Sequence, residues 1–392
     1  MTKTKTELGI ERATDIEVLE RIKDDWNALL ENNETKTVEL TYEWQTTYWK
    51  HFNENSKLFV LIVKEADSIV AVAPLRLTYT KKFGLRVRTL EFIAAKESNY
   101  QDFIIGDNKE RVLECILNYL ISNRKSWDIL SLTHIPETSA TAHFFLNELD
   151  GSLLCRVSSI EKCIFLKLDK TWKEYATNSK ARAKIAYRMK RLQRYGEINC
   201  SHCSNEEQFR SNLQAFFELH RKRWNPTITP SQFNDDRCCQ FYLEISPQLL
   251  PKEQVDLFVL SVEKSPVALL YSFLLGRNCL IQLIAYDVEY SKAAPSLVMH
   301  ELFVKQAFAD GIEVIDFGHY YPYKEYWANH FKNRLNIEVY PKRILPCYVY
   351  VLTKVIASLR TNLKRIAPLR QFVRYVRRRV RSFGNKSLMD SF

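Results

Sequence analysis

Two distant stretches repeat one pattern of apolar and polar positions. Leu58 to Leu77 reads LFVLIVKEADSIVAVAPLRL, and Leu257 to Leu275 reads LFVLSVEKSPVALLYSFLL. Each runs or alternates apolar, turns through a short charged tip and returns through Val-Ala, which predicts a β-hairpin with tips near Glu65–Ser68 and Lys264–Pro266. A further strand, a helix and a buried strand follow each hairpin. The first helix is predicted over 109–123 (Val112, Leu113, Ile116, Leu117, Leu120) and leads into WDILSL. The second is predicted over 295–309 (Leu297, Val298, Leu302, Val304, Phe308) and leads into IEVIDF. A helix between two strands of one sheet is the crossover that parallel pairing requires. The expected fold is therefore α+β (α/β): an antiparallel meander passing into a parallel βαβ end, used twice.

The strand KCIFLKLDK ends near residue 168, where TWKEYATNSK opens a helix. This divides the chain into an N-terminal domain 1–168, a C-terminal domain 169–345 and a tail 346–392. With 392 residues, two domains is the usual expectation. The first residues hold no apolar run and no stretch of 18 apolar residues occurs, which predicts neither a signal peptide nor a spanning helix and points to the cytoplasm. Scattered cysteines among apolar neighbours agree with a reducing compartment. Cys200, His202 and Cys203, with the pair Cys238 and Cys239, could supply zinc ligands. They lack a glycine-rich knuckle, and GEINCSHCS alternates like a strand, so buried strand thiols and no metal are expected.

Charge changes the picture at one end only. The chain has 57 Lys and Arg against 46 Asp and Glu. Residues 342–392 hold 13 of the basic residues and only Asp390 of the acidic ones, leaving 44 basic and 45 acidic elsewhere. The body is thus near neutrality and lacks the field of a nucleic-acid binder. A predicted helix over 178–195 is the exception: Ile185, Met189 and Leu192 form one stripe, and Lys180, Arg182, Lys184, Arg188, Lys190, Arg191 and Arg194 cover the rest. It reads either as a solvated face or as a surface for an anionic ligand.

Several segments together resemble the CelD/BcsL-like acetyltransferases of bacterial polysaccharide synthesis, which belong with the wider group of Fem-type aminoacyl transferases. They are LTYEWQTTYWKHF, VAPLRL and SNYQDFII in the first half, and LHRKRW, YDVEYSKAAPSLVMHELF, GIEVIDFG and YKEYW in the second. The resemblance covers roughly residues 15–340 and rests on order and spacing rather than on one motif. It implies tandem GNAT-like (acyl-CoA N-acyltransferase) domains, with acetyl-CoA or another acyl-CoA as co-substrate. The second domain would carry the chemistry, and the first would be a degenerate copy.

In such a fold two neighbouring strands splay around the acyl-pantetheine arm, and a helix N-terminus meets the pyrophosphate. The resemblance places that helix start at Ala294, Pro295, Ser296 and Leu297, with Ile284 and Ala285 on the preceding strand. The loop EYSKAAPS departs from the common glycine-rich version, with Ser296 where many relatives have glycine. Acyl transfer needs a base, oxyanion donors and an acid for the leaving thiolate. Asp316 and His319 are the candidate bases, Lys324 the candidate oxyanion stabiliser and Tyr323 the candidate acid. Tyr286, Asp287, Tyr321, Arg223 and Trp224 are expected to meet the acceptor. The expected function is acyl transfer to an amine or hydroxyl of a sugar, polysaccharide or cell-envelope precursor. The alternatives are aminoacyl-tRNA-dependent transfer and a non-catalytic membrane-associated scaffold.

The tail combines an apolar segment, Tyr348 to Leu359, too short to cross a bilayer, with a basic stretch after Pro368. There Phe372, Val376 and Val380 share a helical face among Arg374, Arg377, Arg378, Arg379 and Arg381. An anionic surface of the inner membrane is the expected partner, with docking on protein and binding of RNA as competitors.

Overall fold

The structure is a computed structural model that describes residues 7–149, 151–177 and 181–365. The Arg-rich stretch after Pro368 lies outside the described residues. Two compact units result: one from residues 7–162 with Lys332–Ser358, the other built on Cys163–Phe331.

In the first unit, β1 (Leu8–Ala13), α1 (Ile16–Arg21), α2 (Lys23–Glu31) and α3 (Tyr42–Phe52) precede the first hairpin. Strands β2 (Ser56–Leu58), β3 (Val60–Glu65), β4 (Ser68–Ala73), β5 (Leu75–Lys82), β6 (Leu85–Phe92) and β7 (Ile104–Ile105) follow. Pro74 separates β4 from β5. A proline donates no ladder hydrogen bond, and the two segments flanking it enter different sheets: β4 joins β1-β3-β4-β7, and β5 joins the run β8-β6-β5-β2. Helix α4 (Lys109–Ser122) crosses over to β8 (Ile129–Pro136), which lies parallel to β6 with Leu90 opposite Leu130. Its predicted apolar face is buried in full. After α5 (Ala140–Asn147), strand β9 (Leu153–Lys167) leaves the unit.

The motif segments of this half fold into a buried polar knot. Trp44 Nε1 donates to Ser98 Oγ at 3.0 Å, and Gln45 donates to Gln101 at 3.2 Å. Glu39 accepts from the Asn99 and Tyr100 amides, while burial pushes its carboxyl up to about 7.

In the second unit, α6 (Trp172–Thr177), α7 (Ala181–Leu192), β10 (Ile198–His202), α8 (Glu206–Trp224) and α9 (Asp236–Leu249) precede the second hairpin. The meander is β11 (Val255–Val262), β12 (Ser265–Leu275) and β13 (Asn278–Tyr286). Helix α10 (Pro295–Ala309) crosses to β14 (Val314–His319), parallel to β13, and the strand order is β10-β11-β12-β13-β14-β9. Both hairpins turn on a left-handed residue, Ala66 at φ 53° and Glu263 at φ 55°. Both crossover helices are also preceded by one, Asn108 at φ 54° and Ala294 at φ 51°. The repeated pattern is thus a repeated backbone plan, two α/β units in tandem.

Three differences from the sequence reading have local causes. The late strand β15 (His330–Pro341) pairs with β8, Leu335 opposite Ile135 and Val339 opposite Leu130, so the chain returns to the first unit. Beyond it, α11 (Ile344–Arg365) buries Val349 against Val87, Ile129 and Tyr340, so the segment after residue 345 does not begin as a detached tail. Third, the thiols are not buried strand residues as a group. Cys200 is exposed because β10 is an edge strand, and Cys238 and Cys239 are buried on α9. Among the described residues, no three His, Cys, Asp or Glu side chains group to hold a metal ion.

Candidate functional site

The parallel register of β13 and β14 ends early. Asn278, Cys279 and Leu280 lie opposite Val314, Ile315 and Asp316, and there the ladder stops although β13 runs on to Tyr286. At the same point the β14–β9 ladder shifts register between Asp316 and His319. Gly318 sits in this bulge at φ 67°, a conformation that side chains resist. Asp316 is buried there, and its Oδ1 accepts the Gly318 amide at 2.7 Å. Beyond the splay, the outer part of β13 pairs with β12 on one side (Ala285 with Leu269, Ile284 with Leu270).

The chain then runs through a short 3-10 segment, Val288–Ala293, into α10. Ala294 is the left-handed N-cap and Pro295, which has no N–H, takes the first helical position, while the Leu297 and Val298 amides bond back to the Ala294 carbonyl at 3.0 and 3.3 Å. The glycine-like conformation thus falls on Ala294, two positions before the serine singled out from the sequence. A cleft enclosing about 130 Å³ opens here, lined by Lys184, Arg223, Ile284, Tyr286, Ser291, Ala294, Ser296, Leu297, His300, Tyr323 and Tyr326.

The lining contains cations and phenols but no carboxylate. Arg223, in the last turn of α8, stacks on Tyr286 at 4.4 Å and on its neighbour Trp224 at 4.7 Å. Lys184 reaches the Tyr326 hydroxyl at 2.9 Å. The basic helix α7 is no loose surface element. Ile185 and Leu192 are buried, Arg182 pairs with Glu301 at 2.9 Å, and Arg188 donates to the Lys292 carbonyl at 2.6 Å. Burial raises the Tyr323 phenol above its ordinary range, opposed by the nearby Arg223 charge.

The residues expected from sequence divide into groups. Ile284, Ala294, Ser296 and Leu297 line the cleft, and Ala285 and Pro295 are buried beside them. Tyr286, Arg223 and Tyr323 line it as well. Asp287 is held by Lys222 at 2.8 Å and accepts the Glu289 amide at 3.0 Å. His319 and Tyr321 are exposed, their rings 5.1 Å apart, and Tyr321 stacks on Tyr323 at 6.2 Å. Lys324 is buried, and its Nζ donates to the carbonyls of Phe317 and His319, tying the loop back onto β14.

His300 was not among the sequence candidates. It is 1% exposed and its ring packs roughly parallel to those of Trp327 at 4.8 Å and Phe317 at 6.0 Å. Its Nδ1 lies 2.6 Å from the Ser296 carbonyl, which fixes the proton on Nδ1 and leaves Nε2 an acceptor with no partner among the described residues. Burial, with the Lys324 charge, lowers its pKa to about 4, so the ring is neutral at physiological pH. A polar residue on the buried face of α10 was the available signal. Lys184, Ser291 and Tyr326 also join the lining without having been named as site residues.

Residues 179–325, less than half of the chain but including every cleft-lining residue except Tyr326, match the family model described as Acetyltransferase (GNAT) domain. Among solved structures the chain is similar to FemX, at 12% identity over 88% of this chain and 100% of that one, with a TM-score of 0.58. A conserved protein of unknown function from Bacteroides thetaiotaomicron VPI-5482 matches at 10% identity over 85% and 100%, with a TM-score of 0.56. The C-terminal domain of a putative lysylphosphatidylglycerol synthetase from Agrobacterium fabrum matches at 10% over 86% and 96%, with a TM-score of 0.50. At such identities these likenesses establish the fold. A comparison with curated protein sequences gave no match.

Proposed function

We propose that the chain is an acyltransferase that takes its acyl group from a CoA thioester, in the first place acetyl-CoA. The observation that carries this reading is the slot between β13 and β14, which opens after Leu280 and Asp316 and is headed by the start of α10. An extended pantetheine arm can add to the β13 edge as a strand would, and the positive end of the α10 dipole with the Ser296 amide and side chain, Lys184 and Arg223 suits a pyrophosphate. The family description supports the same chemistry.

Within this reading the acceptor's lone pair attacks the thioester carbonyl, and the acceptor's proton passes to solvent water. The tetrahedral intermediate collapses by breaking the carbon–sulfur bond, the departing thiolate takes the Tyr323 proton, and the phenolate recovers a proton from solvent. A phenol whose pKa is raised stays protonated until that moment. His300 Nε2 is too weakly basic to remove a proton from an ammonium, and its part is to accept a hydrogen bond that orients the acceptor. The Tyr286, Arg223 and Trp224 wall suits a sugar ring, and the acceptor is proposed to be an amine or hydroxyl of a glycan or envelope precursor, met in the cytoplasm at the inner membrane. The first unit is proposed to be catalytically silent. At its matching helix start, Asp25, Glu65 and Asp107 line the surface around Asn108, which disfavours phosphate.

Acetyl-CoA at about 100 times its dissociation constant is expected to add about 2.7 kcal/mol of stability, read as a rise in melting temperature. A shift with charged tRNA and none with CoA thioesters would move the donor to aminoacyl-tRNA. No shift with either would remove the transferase reading.

A further inference from the structure

One face of α11 has no function in the reading above. Val349 and Pro346 are buried, and Leu345 and Tyr350 pack partly on the Val87, Ile129 and Tyr340 cluster. Another face carries Ile344, Tyr348, Val351, Val355 and Leu359, at 93, 50, 55, 47 and 54% exposure. Their spacing of four, three, four and four residues brings all five onto one narrow stripe of the helix. Elsewhere in the described chain the large exposed apolar side chains do not line up this way along one helix. The stripe is apolar without being long enough to span: no helix among the described residues is long and apolar enough to cross a membrane.

We infer that this stripe is a docking face for an anionic lipid surface, on which α11 lies in the plane of the headgroups. Charge complementarity selects this occupant. Helix α11 contains no Asp or Glu, and residues 342–392 hold 13 Lys and Arg against the single Asp390. A protein partner of mixed charge gives no reason for so one-sided a composition, whereas anionic headgroups attract each basic residue within a Debye length. Apolar side chains then enter the headgroup boundary, and Tyr348 has the amphipathic ring that favours that depth. The packed face of α11 holds the stripe to the first unit, so the contact orients a folded protein rather than tethering it by a loose chain.

The test is co-sedimentation of the full chain with phosphatidylcholine vesicles, with and without phosphatidylglycerol. Binding is expected only with phosphatidylglycerol, and it should weaken at about 0.5 M salt, where the Debye length shortens to a few ångströms. The double variant Val351→Ser, Val355→Ser should bind about tenfold or more weakly, with an unchanged melting temperature because both side chains are exposed. Undiminished binding by this variant would show that the stripe is not the contact. Self-association without lipid that the double variant abolishes would make the stripe an interface between copies. Binding of RNA with no binding of vesicles would assign the basic residues to nucleic acid. Any of these three results overturns the inference.

Discussion

His300 and Lys324 are both buried polar residues at the cleft, and the structure gives them opposite duties. The Lys324 ammonium is used up holding two carbonyls, and removing it leaves buried acceptors unsatisfied, at a cost of about 1–3 kcal/mol. Lys324→Met, which keeps the apolar stem, should therefore lower stability by that order in urea unfolding. A variant as stable as the parent but inactive would instead return the lysine to chemistry. His300→Phe should keep the stack with Trp327 and Phe317 while losing Nε2, so turnover should fall with little loss of stability at pH 7.5. Its pH signature has a definite sign. The folded pKa, about 4, lies below the ordinary histidine value, so the unfolded chain takes up the proton first as pH falls. The parent should lose about 2 kcal/mol on this account between neutrality and pH 5, and the variant should not. Equal losses in both would mean that His300 is charged or solvated in the fold. The aromatic and acidic residues of the 313–327 stretch were legible from sequence as a strand end. Their duties were not, because whether a lysine meets a substrate or two carbonyls depends on the bulge at Gly318.

Helices were the most readable elements because their burial is periodic within a few turns. The crossover helix α10 has the predicted bounds, 295–309, and α4 ends one residue short of the prediction. The hairpin tips follow from the charged turns between apolar runs. The splay of β13 from β14 was expected only through resemblance, since no local pattern says where two strands stop pairing. Helix α10 also carries a backbone cost that sequence did not disclose. Ala294 is held at φ 51°, where a Cβ is disfavoured by about 1 kcal/mol. Ala294→Gly should raise stability by a few tenths of a kcal/mol, once the unfolded glycine's larger entropy, about 0.4–1 kcal/mol, is set against the relief. Greater sensitivity to urea in this variant would show that the alanine is unstrained. The same variant should bind acetyl-CoA at least as well, because a glycine permits closer backbone approach to phosphate.

At the scale of the whole molecule, the cut near residue 168 follows the chain order and assigns the last strand by proximity. RLNIEVY reads as a strand from its alternation, yet which sheet it completes is a non-local matter that alternation does not encode. In the structure Leu335, Ile337 and Val339 are in the core of the first unit, opposite β8, and Arg334 pairs with Glu161 at 2.7 Å. Burying three such side chains contributes about 1.5–3 kcal/mol each, which together rivals the 5–15 kcal/mol by which a domain is usually stable. Residues 1–168 produced alone should therefore lack a cooperative melt and show little protection from hydrogen exchange in β6 and β8. Supplying 332–358 through a short glycine-serine linker after residue 168 should restore both, since that segment brings β15 and the Val349 contact with Tyr340. Full protection in residues 1–168 without the added strand would show that the first sheet closes by itself and that β15 is dispensable to it.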